Sequence, residues 1–276
     1  YSDWTDNFST EIRLGKVELD NRQISVGGTD FGEIRVELND RAGLGDVDVY
    51  LGGDDSRQSN KLNYEILNMA FKGFYNAGRH NMTFGYEREQ YDIFNLFVQH
   101  TETEIRFDGI ENFRNQQAAR VYYNNSPSQN PSDAAADWGY AVNTLYAQDD
   151  FQLRPDLNVI FGLRYDFWET DDAAPTNPDF LADYGFSNGQ NLDGADLFQP
   201  RLALNWDAQD NLTVRAGVGL YAGGDPNVWL SNTYSNNNVV QFGQQIRNVD
   251  LTAETYALCE DGVPQGPGYC VPQQMV

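Results

Sequence analysis

Thr144-Leu145-Tyr146-Ala147-Gln148-Asp149-Asp150-Phe151-Gln152-Leu153-Arg154-Pro155-Asp156-Leu157-Asn158-Val159-Ile160-Phe161-Gly162-Leu163-Arg164-Tyr165-Asp166-Phe167 reads as two extended arms around a turn. In the second arm Leu157, Val159, Phe161, Leu163, Tyr165 and Phe167 share one parity, and Asn158, Ile160, Gly162, Arg164 and Asp166 the other. Side chains alternate across a strand, so this arm has one apolar and one mostly polar face. Arg154-Pro155-Asp156 is the turn, because proline sets φ and aspartate bonds its own backbone. Each arm is about ten residues long, the length with which a tilted strand crosses a bilayer. One residue resists the pattern. Asp149 falls on the apolar parity of Leu145, Ala147, Phe151 and Leu153. A carboxylate facing lipid is costly, so a bulge, or a place below the hydrocarbon, is expected there.

The bulk numbers narrow the reading. The 276 residues carry 18 Lys+Arg against 41 Asp+Glu, a net charge of −23, with 16 Tyr and 16 Phe. Such an acidic chain lacks the basic surface that nucleic-acid phosphates or anionic headgroups require. A mean hydropathy of −0.60 argues against transmembrane helices, and no run of apolar residues is long enough for one. It does not argue against a β-barrel, which shows lipid only every second residue. The opening Tyr1-Ser2-Asp3-Trp4 carries no signal peptide. Cys259 and Cys270 bracket a Gly/Pro-rich segment; a disulfide is the expected pairing, since no histidine lies nearby to complete a metal shell.

Along the chain, residues 7–19 alternate again. Residues 20–55 are rich in Gly and Asp and read as a long acidic excursion with strand-like pieces at Ile34–Leu38 and Val47–Leu51. From Lys61 to Tyr75 a strand resumes with a change of parity: Leu62, Tyr64 and Ile66, then Leu67, Met69 and Phe71. Such a change is what a β-bulge produces. A turn at 76–78 leads to His80, Met82, Phe84 and Tyr86 on one face, and alternation persists into Thr101–Phe107. Residues 112–137 and 169–196 read as loops. A third hairpin sets Phe198, Leu202, Leu204 and Trp206 against Gln199, Arg201, Ala203 and Asn205, turns at 207–211, and returns through Leu212, Val214, Ala216, Val218 and Leu220. Short turns thus alternate with long excursions, the habit of outer-membrane barrels rather than of sandwiches. The expected fold is all-β: an antiparallel transmembrane β-barrel segment with short periplasmic turns and long extracellular loops, residues 1–276 forming part of one barrel domain in a bacterial outer membrane.

Particular words of the sequence carry a resemblance. Leu145-Tyr146-Ala147-Gln148-Asp149-Asp150-Phe151, followed by Leu157 to Asp166, resembles the barrel hairpin of TonB-dependent outer-membrane receptors. Arg57-Gln58-Ser59-Asn60, Gly78 to Glu87, Phe198-Gln199-Pro200-Arg201-Leu202 and Arg215 to Asn232 narrow it to the Oar-like branch, whose members carry a carboxypeptidase-regulatory-like domain before the plug. The resemblance spans residues 57 to 240. It implies a barrel of about 22 strands, a plug inside it, and energy from the TonB–ExbB–ExbD complex acting through that plug. Neither plug, TonB box nor final aromatic strand is found, so the chain is expected to be a middle section of a longer receptor, with a free-standing small barrel the alternative. Outer-membrane lipid, lipopolysaccharide and a surface lipoprotein are the other partners expected.

Candidate residues follow from parity. Arg164, Asp166, Arg201 and Arg215 lie on the polar face and are expected to line the lumen, chiefly as ion pairs. Trp168, Trp206, Tyr165, Phe167 and Tyr221 lie near strand ends, where an interfacial girdle is expected. Trp229 and Tyr234 are the candidates for ligand contact from an external loop, with packing of loop on loop an equal alternative. Asp54, Asp55, Asp171, Asp172 and Asp193 offer the oxygen ligands Ca²⁺ takes, but without EF-hand spacing; a solvated acidic surface is expected, and no cofactor. With His80 and His100 the only histidines, no nucleophile has an evident base and orienter, and no enzymatic activity is expected. Energised solute uptake is the leading expectation. A surface adhesion, assembly or export component is the second, a passive channel the third, and a soluble carbohydrate-binding sandwich the outside alternative.

Overall fold

The computed structural model describes residues 1–28, 31–38, 43, 45–224 and 226–252, together with the backbone of three short strands beyond them. In chain order the strands are β1 (Ser2–Thr5), β2 (Phe8–Arg22), β3 (Glu33–Leu38), β4 (Val47–Leu51), β5 (Ser59–Ala77), β6 (His80–Val98), β7 (Glu104–Asp108), β8 (Gln117–Asn125), β9 (Ala136–Arg154), β10 (Leu157–Glu169), β11 (Asp196–Gln209), β12 (Leu212–Gly219), β13 (Phe242–Asp250), β14 (Ala257–Glu260), β15 (Val263–Pro264) and β16 (Cys270–Val271). Three short helices join them: α1 (Ile110–Arg114), α2 (Pro178–Tyr184) and α3 (Asn227–Ser235).

The hairpin of the opening paragraph is β9–β10, paired from Leu157↔Arg154 to Glu169↔Ala141. It sits inside an eight-stranded antiparallel sheet, β1-β2-β5-β6-β9-β10-β11-β12, in which each strand pairs with its neighbour in the meander. The connections β1–β2, β5–β6, β9–β10 and β11–β12 are two residues long and all lie at one end. At Gly78 φ is +64°, the left-handed value such a tight turn needs and glycine adopts freely. The excursions β2→β5, β6→β9 and β10→β11, and the segment after β12, all leave from the opposite end. Four of their strands and β13 form a second sheet, β13-β8-β7-β3-β4. Within it β3 and β7, from different excursions, run parallel.

Two faces follow from the register. Ile12, Phe71, Tyr86, Leu145, Tyr165 and Phe198 line up across six strands, and Ile12, Leu145 and Phe198 are exposed in the isolated chain. Leu14, Phe84, Phe161, Leu163, Leu202 and Val218 continue this surface. A continuous apolar face this large suits lipid, not water. The opposite row reads Glu11, Lys72, Gly85, Tyr146, Arg164, Gln199. Polar groups mark both edges of the apolar surface. Near the short turns, Trp206 Nε1 donates to Asp156 Oδ2 (3.0 Å), and Arg79 lies over the Phe151 ring. Toward the long loops, Tyr86 Oη donates to Asn143 Oδ1 (2.6 Å), Arg88 pairs with Glu169 (2.6 Å), and Tyr165 Oη donates to Asp196 Oδ2 (3.0 Å).

Several expectations need correction. β5 has no bulge: it pairs without a register break with both β2 and β6. Its change of parity has another cause. Leu67, Met69 and Phe71 belong to the outward face. Higher up, Leu62 and Tyr64 turn inward and pack against a buried cluster of Ile93, Ala136, Trp138, Tyr140, Val142, Ala174 and Tyr234. Trp168 joins that inner cluster and is not part of the outward girdle; Tyr165, Phe167 and Trp206 keep the outward parity. Residues 112–137 are not all loop, for they hold α1, β8 and the start of β9. Residues 169–196 hold α2, and the segment after 222 holds α3 and β13.

At Asp149 one of the two expected alternatives, a bulge, is ruled out, because the residue pairs in register with Met82 and Phe161. It stays on the outward parity but is only 5% exposed. His80 Nδ1–H donates to its Oδ2 (2.6 Å), and the imidazole stacks on Phe151 at 4.4 Å. The aromatic histidine thus caps the carboxylate. Leaving a covered acceptor without its donor costs on the order of 1–3 kcal/mol. His80→Ala is therefore expected to destabilise the folded protein more than the double variant His80→Ala/Asp149→Ala. Urea unfolding in lipid vesicles checks this, and equal losses would rule out the capping role.

Candidate functional site: the polar wall and its mouth

The inward face carries a hydrogen-bonded network centred on Asp166. Asp166 Oδ1 accepts from Thr144 Oγ1 (2.7 Å), and Oδ2 accepts from Gln199 Nε2 (2.5 Å) and Arg164 Nε (3.1 Å). Arg164 Nη2 donates to Thr144 Oγ1 (2.9 Å), and Gln199 Oε1 accepts from the backbone N–H of Ala222 (2.7 Å). Three adjacent strands are thereby tied together across the wall. Thr144, Asp166 and Gln199 are buried, while Arg164 remains over a third exposed, so its guanidinium is the part a solute could touch. Next to it Tyr146 Oη donates to Glu87 Oε1 (3.1 Å), and Lys72 pairs with the same oxygen (3.1 Å). Tyr146 can lie there because Gly85 is bare: a Cβ would come within 2.6 Å of its hydroxyl.

Of the four residues expected to line the lumen, Arg164 and Asp166 meet in this network. Arg201 lies one row away across Gly162, whose Cβ would fall 2.9 Å from its Nε. That Nε is shielded and has no hydrogen-bond partner among the described residues. Arg215 stands apart, exposed, donating from Nε to Asn205 Oδ1 (3.1 Å). Thr144, Gln199, Tyr146, Glu87 and Lys72 were not singled out in the sequence, although polar parity was a sufficient signal for each. The wall offers paired charges and hydrogen-bonding groups in near balance, a surface suited to hydrated solutes or to a polar protein face.

Toward the long loops the same inward face turns apolar and is covered. α3 lies over β9. Trp138 Nε1 donates to Ser231 Oγ (3.2 Å), Tyr140 Oη to Asn227 Oδ1 (2.8 Å) and Tyr234 Oη to the Asp172 carbonyl (3.1 Å). The rings stack in sequence: Tyr91 on Tyr140 at 4.6 Å, Tyr140 on Trp138 at 5.4 Å, Trp138 on Tyr234 at 5.3 Å. Tyr234, expected to contact ligand, is thus a buried packing residue, and burial raises its phenol pKa. Trp229, on the same helix, is 76% exposed.

The acidic loop residues have mixed roles. Asp172 Oδ2 accepts from the Gly139 N–H (2.7 Å) and Asp193 Oδ1 from the Thr170 N–H (3.4 Å), so both act as loop staples. The side chains of Cys259 and Cys270, expected as a disulfide, lie outside the described residues.

The wall predicts a contrast. Asp166→Ala strips the acceptor from three donors and is expected to cost about 1–3 kcal/mol. Arg215→Ala, on the exposed end of the same face, is expected to change stability by less than about 0.5 kcal/mol. Unfolding by urea, followed by tryptophan fluorescence, separates the two.

Among known proteins, the family model described as outer membrane beta barrel domain matches residues 5–275. No curated protein and no solved structure matches the chain.

Proposed function

Because the chain belongs to the outer membrane beta barrel domain family, we propose that its eight-stranded sheet is part of the wall of a TonB-dependent receptor of the Oar-like branch that imports a solute with energy from the inner membrane. The family places the chain in the bacterial outer membrane; in such barrels short turns lie in the periplasm and long loops outside. The observation carrying the finer reading is the inward face. Glu11, Lys72, Glu87, Arg164 and Asp166 make a wide polar wall, the inner surface that a barrel lumen carries. Within lipid every strand edge must be paired, whereas β1 and β12 end the sheet. We infer that further strands bond to both edges and enlarge the barrel to a size that takes a plug. A plug meeting this wall would find partners in Arg164, Arg201 and Arg215. On this reading TonB–ExbB–ExbD acts through the plug, and the chain performs no catalytic step.

A second reading, surface adhesion or assembly, draws support from the folded sheet built by the long excursions. It offers a protein partner, such as a surface lipoprotein, a preformed platform. Deletion strains separate the readings. Import predicts a growth defect on at least one scarce nutrient in a panel of chelated iron, corrinoid and oligosaccharide. A protonophore should reproduce that uptake defect in wild-type cells. Normal growth on the whole panel, with lost surface attachment or partner retention, would favour the second reading. Uptake that persists after the proton-motive force is collapsed would indicate a passive channel.

A further inference from the structure

Where the first two excursions meet, at the foot of the loop sheet, four carboxylates and a histidine converge. β3 and β7 pair in parallel with Glu33 directly opposite Glu104. Both residues are buried, and like charges placed opposite each other in a sheet repel. Asp54 and Asp55 enter from the 3-10 turn before β5, and the Asp55 N–H donates to Glu33 Oε2 (3.2 Å). His100 follows β6, its ring stacked on Tyr122 at 5.2 Å. Nearby cations answer only part of this charge: Arg106 grips Glu104 with Nε and Nη2 (2.5 and 2.9 Å), and Arg57 stands 3.9 Å from Asp54.

The histidine is the independent sign of a ligand. Its Nδ1 lies 3.2 Å from Asp55 Oδ2 and 3.5 Å from Glu104 Oε2. It is shielded from solvent and satisfies hydrogen-bond geometry with neither. Three atoms of ligating type therefore face one another. All three ligand atoms lie within 4.8 Å, as do those of Glu33, Asp54 and Asp55. Around an ion with bonds of about 2.1 Å, tetrahedral ligands sit about 3.4 Å apart, which matches the two separations at Nδ1.

We propose that Asp55, His100 and Glu104 form a site for one divalent cation of the zinc class, with Glu33 as a neighbouring carboxylate, which clamps the first excursion to the second outside the membrane. The imidazole donor selects against Ca²⁺ and Mg²⁺, whose sites are built of oxygen. Arg106 and Tyr122 orient Glu104 and His100 from behind.

The test uses the full-length protein in detergent, stripped with chelator and titrated with ZnCl₂. One equivalent of zinc per chain is expected, with an X-ray absorption spectrum showing an imidazole nitrogen in the first shell. Asp55→Asn and His100→Gln should each weaken binding at least tenfold, whereas Asp171→Asn, on a different acidic loop, should leave it unchanged. Heat-modifiable migration on gels reports folding of each variant. Absence of stoichiometric zinc in the wild-type protein would overturn the proposal whatever the variants do. So would binding that survives both Asp55→Asn and His100→Gln, or full displacement by equimolar Ca²⁺; these results would leave a protonated His100 between two carboxylates as the account of the cluster.

Discussion

A polypeptide crossing hydrocarbon must bond every backbone N–H and C=O within itself. The sheet β1-β2-β5-β6-β9-β10-β11-β12 answers that constraint with unbroken ladders over long runs, as in the pairing of β5 with β6 from Ser59↔Val98 to Ala77↔His80. Everything else accommodates it. The long ladder sets a strict period of two, the period sorts residues to lipid or lumen, and the sorting leaves little room for a misplaced polar group. Asp149 is such a group, and it survives on the lipid side because His80 closes over it without disturbing the register.

The inward face tells a second part of the story. In the middle of the strands it is polar, and its order comes from bonds between strands: Thr144 on β9, Arg164 and Asp166 on β10, Gln199 on β11. Nearer the long loops it becomes aromatic, because there α3 rather than water covers it. One strand can therefore carry apolar residues outward at one height and inward at another, as β5 does with Phe71 and Tyr64. The change marks where the polar wall gives way to the foundation of a folded outer part.

Periodicity made the membrane part legible from residues alone. The β9–β10 and β11–β12 hairpins, their turns and the lipid-facing parity of Phe161, Leu163 and Leu202 could all be read directly. Of the outer part only β3, β4 and β7 were legible, as the pieces Ile34–Leu38, Val47–Leu51 and Thr101–Phe107; the rest was not, for physical reasons. β13, with Gln244 and Gln245, lacks clean alternation and is held by β8, distant in sequence; β8, with Tyr122 and Tyr123 side by side, lies between that partner and β7. α2 and α3 are short and start in Asn/Pro-rich stretches that read locally as loop. The parity change in β5 was visible, but its cause was a change of neighbour, which no local pattern reports. The same holds for His100: as a lone histidine it carried no signal until the parallel pairing of β3 with β7 brought Glu104 and Asp55 beside it.

The order of the outer sheet, β13-β8-β7-β3-β4, has a mechanical meaning. Its strands come from three different excursions, and its central strands, β7 and β3, belong to two of them. The excursions are therefore not independent fingers that can be lengthened, exchanged or bent one at a time. A force applied to β4 is transmitted through β3 to β7 and β8, and so to the tops of β6 and β9. The outer surface responds to a load as one stiff plate bolted to the wall at several points.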